Sequence, residues 1–357
     1  MRILHCPNNV GGNAWVLSRA ERRLGLHSEL MVFNKSWLGY SADVALQLDR
    51  HFLVRSLWRL LSYFVRALAQ YDVFHFNFGS SLLPYGNYPW FLELSDLPVL
   101  RRLGKKIIVT YQGSDIRQRT FFTTRLDISA CDKVDCYGNV FSTDSDSAKK
   151  RRIRKFDRYA HKIFSLNPDL LYVLPSRAEF LPYSCVDLEK WRPAKSSIGK
   201  KLVILHAPTN RDTKGTKYIA EAVEKLKNQY KDVELMLVEK TPHNKVQELY
   251  EKADLAVDQL LIGWYGGFAV EMMALGKPVV CYIREEDLKF IPSQMKEDLP
   301  IINANKFNIY EVLKCLIAER EKFNLIGQRS RAYVEIWHDP MKIAKRMKET
   351  YESLFVE

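Results

Sequence analysis

The sequence predicts an α/β protein of two doubly wound domains, each an open parallel sheet with helices on its faces, and three observations carry that prediction. Short apolar, β-branched runs alternate with helix-period segments in both halves of the chain. The 357 residues exceed one comfortable core, while 47% hydrophobic and 27% charged residues are the balance of a folded globular protein. A stretch of linker composition, 187–197, lies near the middle.

Met1 to Cys6 reads as a first strand, and Pro7-Asn8-Asn9-Val10-Gly11-Gly12-Asn13 then opens a helix over 14–24. A strand, a glycine loop and a helix start are ready for an anion. The loop lacks the full G-x-G-x-x-G pattern and no acid follows at dinucleotide spacing, which argues against a hydride-transfer cofactor. Residues 51–70 form a second predicted helix, with Arg55, Arg59 and Arg66 on one face beside Trp58, Tyr63 and Phe64. It suits either an anionic membrane surface or a core position with a solvated arginine stripe, and it is too short and too charged to span a bilayer. Tyr71 to Phe76 and Lys106 to Thr110 read as strands ending at His75-Phe76-Asn77-Phe78-Gly79 and at Tyr111-Gln112-Gly113-Ser114-Asp115.

The basicity is uneven. Residues 1–190 hold 27 Lys+Arg against 18 Asp+Glu, and residues 191–357 hold 27 against 24, within a net charge of +12. The densest cluster is Lys149-Lys150-Arg151-Arg152-Ile153-Arg154-Lys155, and helical periodicity continues from it to Phe164. This stretch, 149–164, is a second candidate for an anionic membrane surface.

In the second half, Leu202 to Ala207 is a buried-strand run, followed by Pro208-Thr209-Asn210-Arg211-Asp212-Thr213-Lys214-Gly215-Thr216 and a helix over 217–230. Arg211 and Lys214 therefore sit on a strand-to-helix loop, and in an open parallel sheet such loops lie at the carboxyl ends of strands, where ligands bind. A second unit runs from Leu255 to Ile262 as a strand and turns at Gly266-Gly267. It continues as a helix over 268–275, stops at Gly276, and re-enters a strand at Val279 to Ile283. Glycines let the backbone approach an anion at the helix start. Glu271 in that helix repels phosphate, so it reads as an acceptor for hydroxyls of a ribose or sugar ring. Two cations and a diglycine turn would converge on a diphosphate.

These motifs resemble the GT-B glycosyltransferases, specifically the large retaining family numbered four, over most of the chain. There a strand followed by Arg and Lys-Gly binds the donor diphosphate, which maps onto Arg211, Lys214 and Gly215, with Asn210 just before them. Glu271-Met272-Met273-Ala274-Leu275-Gly276-Lys277-Pro278-Val279 is similar to that family's Glu-Ala-Met-Ala helix and Gly-x-Pro-Val strand. The resemblance implies two Rossmann-like domains facing across a cleft. Residues 1–187 would bind the acceptor, 188–335 the nucleotide sugar, and 336–357 would cross back as a helix onto the first domain. It further implies that Gly11 and Gly12 lie over donor and acceptor, that Gly266, Gly267, Phe268 and Ala269 offer amides to phosphate or sugar, and that Thr241 to Asn244 border the base. Two positions depart from the family. Gly263 stands where a first glutamate is usual, so its work falls to backbone near 264–268 or to another group. Gln112 stands where a histidine is usual, which keeps a hydrogen bond but not an imidazolium; His75 is a substitute or else a packed structural residue.

The six cysteines are scattered and no secretory core precedes the first strand, which reads as a cytoplasmic protein with reduced thiols, peripheral on the inner membrane face if 51–70 meets lipid. Cys131 and Cys136 are spaced wider than a zinc knuckle, and Asp144-Ser145-Asp146 is the single Asp-x-Asp triplet, so neither a metal nor a cofactor is expected. The expected function is metal-independent, retaining transfer of a sugar, of the hexosyl type, from a nucleoside diphosphate to a saccharide or lipid-linked acceptor in polysaccharide or glycoconjugate synthesis. The alternatives are a basic nucleic-acid or polyanion-binding protein, for which a recognised motif is missing, and a GT-B epimerase, hydrolase or inactive relative.

Overall fold

The computed structural model describes residues 1–50, 53–83, 92–130, 143–193 and 201–356. Cys131 and Cys136, the tip of the second helix at 51–52, and the linker residues beyond 193 fall outside the described residues. The chain divides into two compact units.

Unit 1 comprises Met1–Gln118, Thr143–Cys185 and Pro340–Glu357. In chain order it begins β1 (Arg2–Cys6), α1 (Asn13–Arg23), β2 (His27–Val32), β3 (Val44–Ala45), α2 (Leu53–Gln70), β4 (Val73–Asn77), α3 (Asp96–Arg102) and β5 (Lys106–Tyr111). After α4 (Arg119–Arg125), which belongs to the other unit, it resumes with α5 (Thr143–Tyr159), β6 (Lys162–Ser165) and β7 (Glu179–Phe180). The strands form one sheet in the order β3-β2-β1-β4-β5-β6-β7, parallel throughout, with His5 opposite His75 and His75 opposite Ile108. Strands covered on both faces read as continuous apolar runs rather than alternating ones, as β4 does with all five residues buried. Of α2, Leu60, Tyr63, Phe64 and Ala67 enter the core while Trp58 is 69% exposed, so this helix has both a packed and an open face.

Unit 2 comprises Arg119–Ser142 and Val186–Asp339. Its elements after α4 are β8 (Leu202–His206), α6 (Arg211–Lys214), α7 (Thr216–Lys227), β9 (Val233–Leu237), α8 (Gln247–Glu251), β10 (Leu255–Val257), α9 (Gly267–Ala274), β11 (Val279–Cys281), α10 (Ser293–Glu297), β12 (Ile302–Asn303), α11 (Ile309–Ala318) and α12 (Phe323–Trp337). The sheet order is β12-β11-β10-β8-β9, again parallel. Ile204, Leu255 and Val280 from the strands close on Ile219, Val223 and Leu313 from the flanking helices. Where α12 crosses the end of α9, a Cβ at Gly327 would stand 1.9 Å from the Gly276 carbonyl oxygen, so only glycine permits that approach.

The last helix, α13 (Pro340–Ser353), starts at the proline expected to interrupt the terminal helical stretch. It packs on α1 in unit 1, and Ile343, Ala344, Met347 and Tyr351 join Ile3, Leu17 and Val73 in that core. Two parallel Rossmann-like sheets with a returning C-terminal helix are the expected α/β architecture. Among the described residues no helix is long and apolar enough to cross a membrane. Cys6, Cys185, Cys281 and Cys315 are free thiols, the first three buried.

Candidate functional site

In unit 2, the loop after β8 turns into α6 because Asn210 caps it, its side-chain oxygen accepting the Thr213 amide at 2.9 Å. Gly215, at φ +78, then ends α6 and starts α7. This one-turn helix presents Arg211 outward and turns Lys214 inward. The Arg211 guanidinium is bound by Glu239 after β9, with Nε 2.8 Å from Oε1. The guanidinium's hydrogen bond pulls the Glu239 carboxyl below its ordinary pKa and raises that of Arg211.

Lys214 Nζ lies 3.1 Å from Asp258 Oδ1 and also donates to Gln259 Oε1. Asp258, 1% exposed, immediately follows β10, and its other oxygen accepts the Gly266 amide at 2.7 Å. Gln259 donates to the Trp264 carbonyl, closing the same loop. These contacts bring the Lys214 ammonium to the amide end of α9, where it would stand 3.4 Å from a Cβ placed on Gly266. An ammonium beside a helix N-terminus is an anion-binding arrangement with two independent sources of positive potential.

One turn into α9, Glu271 is 4% exposed and its Oε1 accepts from His243 Nε2 at 2.6 Å. Burial disfavours the His243 imidazolium, but the hydrogen bond and charge of Glu271 outweigh it and raise the pKa above the ordinary value. The His243 ring lies 5.8 Å from that of Trp191, and Tyr250 packs edge-on against Phe268 at 5.1 Å, so the start of α9 is walled by aromatic rings. Thr241 Oγ1 donates to the Glu239 carbonyl at 3.0 Å, which places it beside the Arg211 ion pair.

Gly263 has φ +93, and a Cβ there would stand 2.7 Å from Arg284 Cζ. The Arg284 guanidinium, buried to 5% exposure, donates to Asp287 Oδ2 at 2.8 Å and to the Ile262 carbonyl at 3.1 Å. The space a glutamate at 263 would need is filled by an arginine.

Asn210, Arg211, Lys214, Gly215, Thr241, Gly266, Gly267, Phe268, Ala269 and Glu271 all belong to unit 2, where Asp258 joins Lys214 to Gly266 while Arg211 turns outward to Glu239. Gly11, Gly12, Gln112 and His75 belong to unit 1. Gly11 and Gly12, at φ +61 and +71, form the turn into α1. Gln112 follows β5 in a tight loop whose Gln112 and Gly113 amides donate to Asp115, the latter at 2.7 Å. Burial pushes the Asp115 carboxyl up to about 6 against those hydrogen bonds. The Gln112 side-chain amide nitrogen is buried and has no hydrogen-bond partner, leaving a donor unused. His75 is enclosed in the sheet, its Nδ1 2.9 Å from the Tyr351 hydroxyl and its Nε2 2.7 Å from Thr110 Oγ1. Burial, reinforced by His5, holds it well below the ordinary histidine pKa. Both ring nitrogens are thus engaged inside unit 1, the packed placement that was the alternative to a ligand role.

Sequence reasoning missed Asp258, Gln259 and Glu239, and it placed His243 within the 241–244 loop expected to border the base but not against Glu271. The available signal was the pair of polar residues directly after the apolar triplet Leu255–Val257, at the carboxyl end of a strand.

No profile of a known protein family matches the chain, and no curated protein matches it. Solved structures do. Sucrose-phosphate synthase from Thermosynechococcus elongatus superposes with a TM-score of 0.63 at 14% identity, over 100% of both chains. Anabaena HepE in complex with UDP-glucose gives 0.64 at 11% identity, over 99% of this chain and 100% of that one. S. aureus MnaA bound to UDP gives 0.55 at 14% identity, over 100% and 98%. The chain has the GT-B fold, the fold of nucleotide-sugar-using glycosyltransferases.

Proposed function

We propose that this chain is a retaining glycosyltransferase that moves a sugar from a nucleoside-diphosphate sugar to a saccharide or lipid-linked acceptor. The observation that carries the proposal is the joining of Lys214 to the start of α9 through Asp258, with Glu271 one turn further along. The diphosphate would lie against Lys214, Arg211 and the amides of Gly267 to Ala269. Glu271, held by His243, would accept hydrogen bonds from the ribose hydroxyls, and Phe268 with Thr241 would border the nucleoside.

As the bond from the sugar's anomeric carbon to the diphosphate oxygen breaks, negative charge grows on the leaving group, and the two cations stabilise it most at that moment. The acceptor hydroxyl attacks the same sugar face, and its proton passes to the departing phosphate, so no protein nucleophile is needed. Unit 1, which Pro340–Glu357 completes, would hold the acceptor, and unit 2 the donor. UDP-containing complexes of HepE and MnaA favour a uridine donor.

Thermal shift with UDP, GDP, ADP and their sugars, with chelator present, tests the proposal, because a ligand that binds only the folded state raises its melting temperature. Stabilisation by one diphosphate series supports a metal-independent nucleotide-sugar site; no response from any of them sinks it. A second reading is a GT-B relative that binds the donor without transferring the sugar. The Arg284 guanidinium filling the space beside Gly263 favours it, and product analysis with stabilising donors and mixed saccharide acceptors separates the two.

A further inference from the structure

The helices α2, α3 and α5 lie on one face of the unit 1 sheet. Their connections, β3 to β4, β4 to β5 and β5 to β6, all step in the same direction through the strand order, and right-handed crossovers put such helices on one side. The β1-to-β2 step runs the opposite way, so α1 and the α13 packed on it cover the other face.

The outer surface of this layer is both apolar and cationic. Along α2, Val54, Trp58, Leu61 and Val65 are 81%, 69%, 42% and 64% exposed, and their spacing sets them in one line. Val99 of α3 and Leu103 at its C-cap add a second exposed apolar pair one turn apart. Arg55 and Arg66 flank the α2 line, Arg102 stands on α3, and Lys150, Arg154 and Arg158 form an exposed row on α5.

Among the described side chains, the acids of these three helices are absent, buried or paired. None occurs in α2. On α3, Asp96 is buried, accepting the Leu82 amide at 2.8 Å. On α5, Asp146 is buried and Asp157 is paired with Arg177 at 2.8 Å. Glu93, before α3, takes Arg152.

We propose that this face docks unit 1 on an anionic lipid bilayer. A bilayer interface takes aliphatic side chains below the headgroups and cations at their level, which is the combination on this surface. A nucleic acid would pair with the cations and stack on Trp58 but leave the aliphatic line in water. A second copy would set one cationic face against another.

Sedimentation of the full chain with vesicles tests the proposal without any nucleotide, so its failure is independent of the glycosyltransferase reading. The chain pellets with phosphatidylcholine vesicles containing about a third phosphatidylglycerol and not with pure phosphatidylcholine, in a salt-dependent manner. Arg55→Gln/Arg66→Gln weakens partitioning about fivefold per arginine. Trp58→Ser/Leu61→Ser weakens it by about tenfold or more, and Lys150→Gln/Arg154→Gln on another helix reproduces the charge effect. All of these residues are on the surface, so melting temperatures stay at the wild-type value. Equal binding to both vesicle types, wild-type pelleting by Trp58→Ser/Leu61→Ser, or RNA binding that matches the vesicle binding and ignores that variant would each overturn the proposal.

Discussion

Lys214 Nζ stands 3.1 Å from Asp258 Oδ1, and the second oxygen of that carboxylate accepts the Gly266 amide at 2.7 Å. One buried acid thus ties the cation of the β8 loop to the start of α9, two segments separated by about fifty residues in sequence. An arriving diphosphate would meet a cation already in place rather than one that must first be ordered, and such preorganisation is where electrostatic catalysis gains most. The same carboxylate also partly cancels the charge it positions.

Removing the cation and removing its anchor should therefore differ. Lys214→Ala is expected to lower sugar transfer by about 10²–10³-fold, the usual cost of losing one charge-stabilising donor. It also leaves Asp258 buried without its counter-ion, which costs stability on the order of 3 kcal/mol, so turnover must be measured well below the variant's own melting temperature. Unchanged turnover there would remove Lys214 from the site.

Asp258→Asn keeps an acceptor for the Gly266 amide but deletes a negative charge beside the proposed phosphates. At an effective dielectric of about 20, one charge within about 6 Å is worth up to a few kcal/mol before screening, so nucleoside diphosphate should bind tighter at low salt, with the gain fading as salt rises. Asp258→Ala also frees the Gly266 amide and Lys214, and should bind more weakly than Asp258→Asn. Titration calorimetry at two ionic strengths separates these outcomes; identical affinities for both variants would mean that Asp258 only packs.

Placing a glutamate at 263, where the glycosyltransferases that the sequence resembles carry one, should fail. Gly263→Glu places a side chain at φ +93, where a non-glycine residue costs about 1–2 kcal/mol, and drives its Cβ to 2.7 Å from Arg284 Cζ. The expected result is a lower melting temperature and no gain in transfer. A variant as stable as the wild type, or one more active, would show that Arg284 yields easily.

The Glu271–His243 pair gives a pH test of unit 2. The folded-state pKa of His243 is raised above its unfolded value, so its contribution to stability is complete below the unfolded pKa and is lost as pH rises through the folded one. The stability difference between wild type and His243→Gln should therefore shrink from about pH 6 to pH 8. A difference that stays constant across that range, read from denaturant midpoints, would place the pair outside the folding balance.

What could be read from sequence follows the range of the contacts. The alternation of strands and helices, the break at Pro340 and the turns at Gly215 and Gly276 are local and lie where that pattern placed them, whereas the helical period read from 149 to Phe164 stops at Tyr159, and Lys162–Ser165 is the buried strand β6. The partners of the candidate residues were not legible. Arg211–Glu239, His243–Glu271 and Lys214–Asp258 span 28, 28 and 44 residues, and each depends on which strands become neighbours. Asp258 was further hidden because the apolar run through Ile262 reads as one strand, whereas β10 ends at Val257 and the rest is the loop that Asp258 closes. His75 shows the same limit: a histidine at a strand end looks available until the sheet and α13 enclose it.

That enclosure makes the last prediction. Tyr351 of α13 donates to Glu21 Oε1 at 2.8 Å and meets His75 Nδ1 at 2.9 Å, while His5 and Ser28 approach the other Glu21 oxygen at 2.8 and 2.6 Å. All are buried, so the network's worth lies in what breaking it would leave unsatisfied. Tyr351→Phe keeps the ring's packing and removes one hydroxyl, leaving Glu21 one donor short and a nitrogen of His75 without its partner. The cost should be about 1–3 kcal/mol for the buried groups left unpaired, seen as a lower denaturant midpoint with nucleotide binding retained, since the cluster belongs to unit 1 and the candidate site to unit 2. A wild-type midpoint would mean that α13 is held by its apolar contacts alone, and loss of nucleotide binding in a folded variant would show that this cluster acts on the donor site.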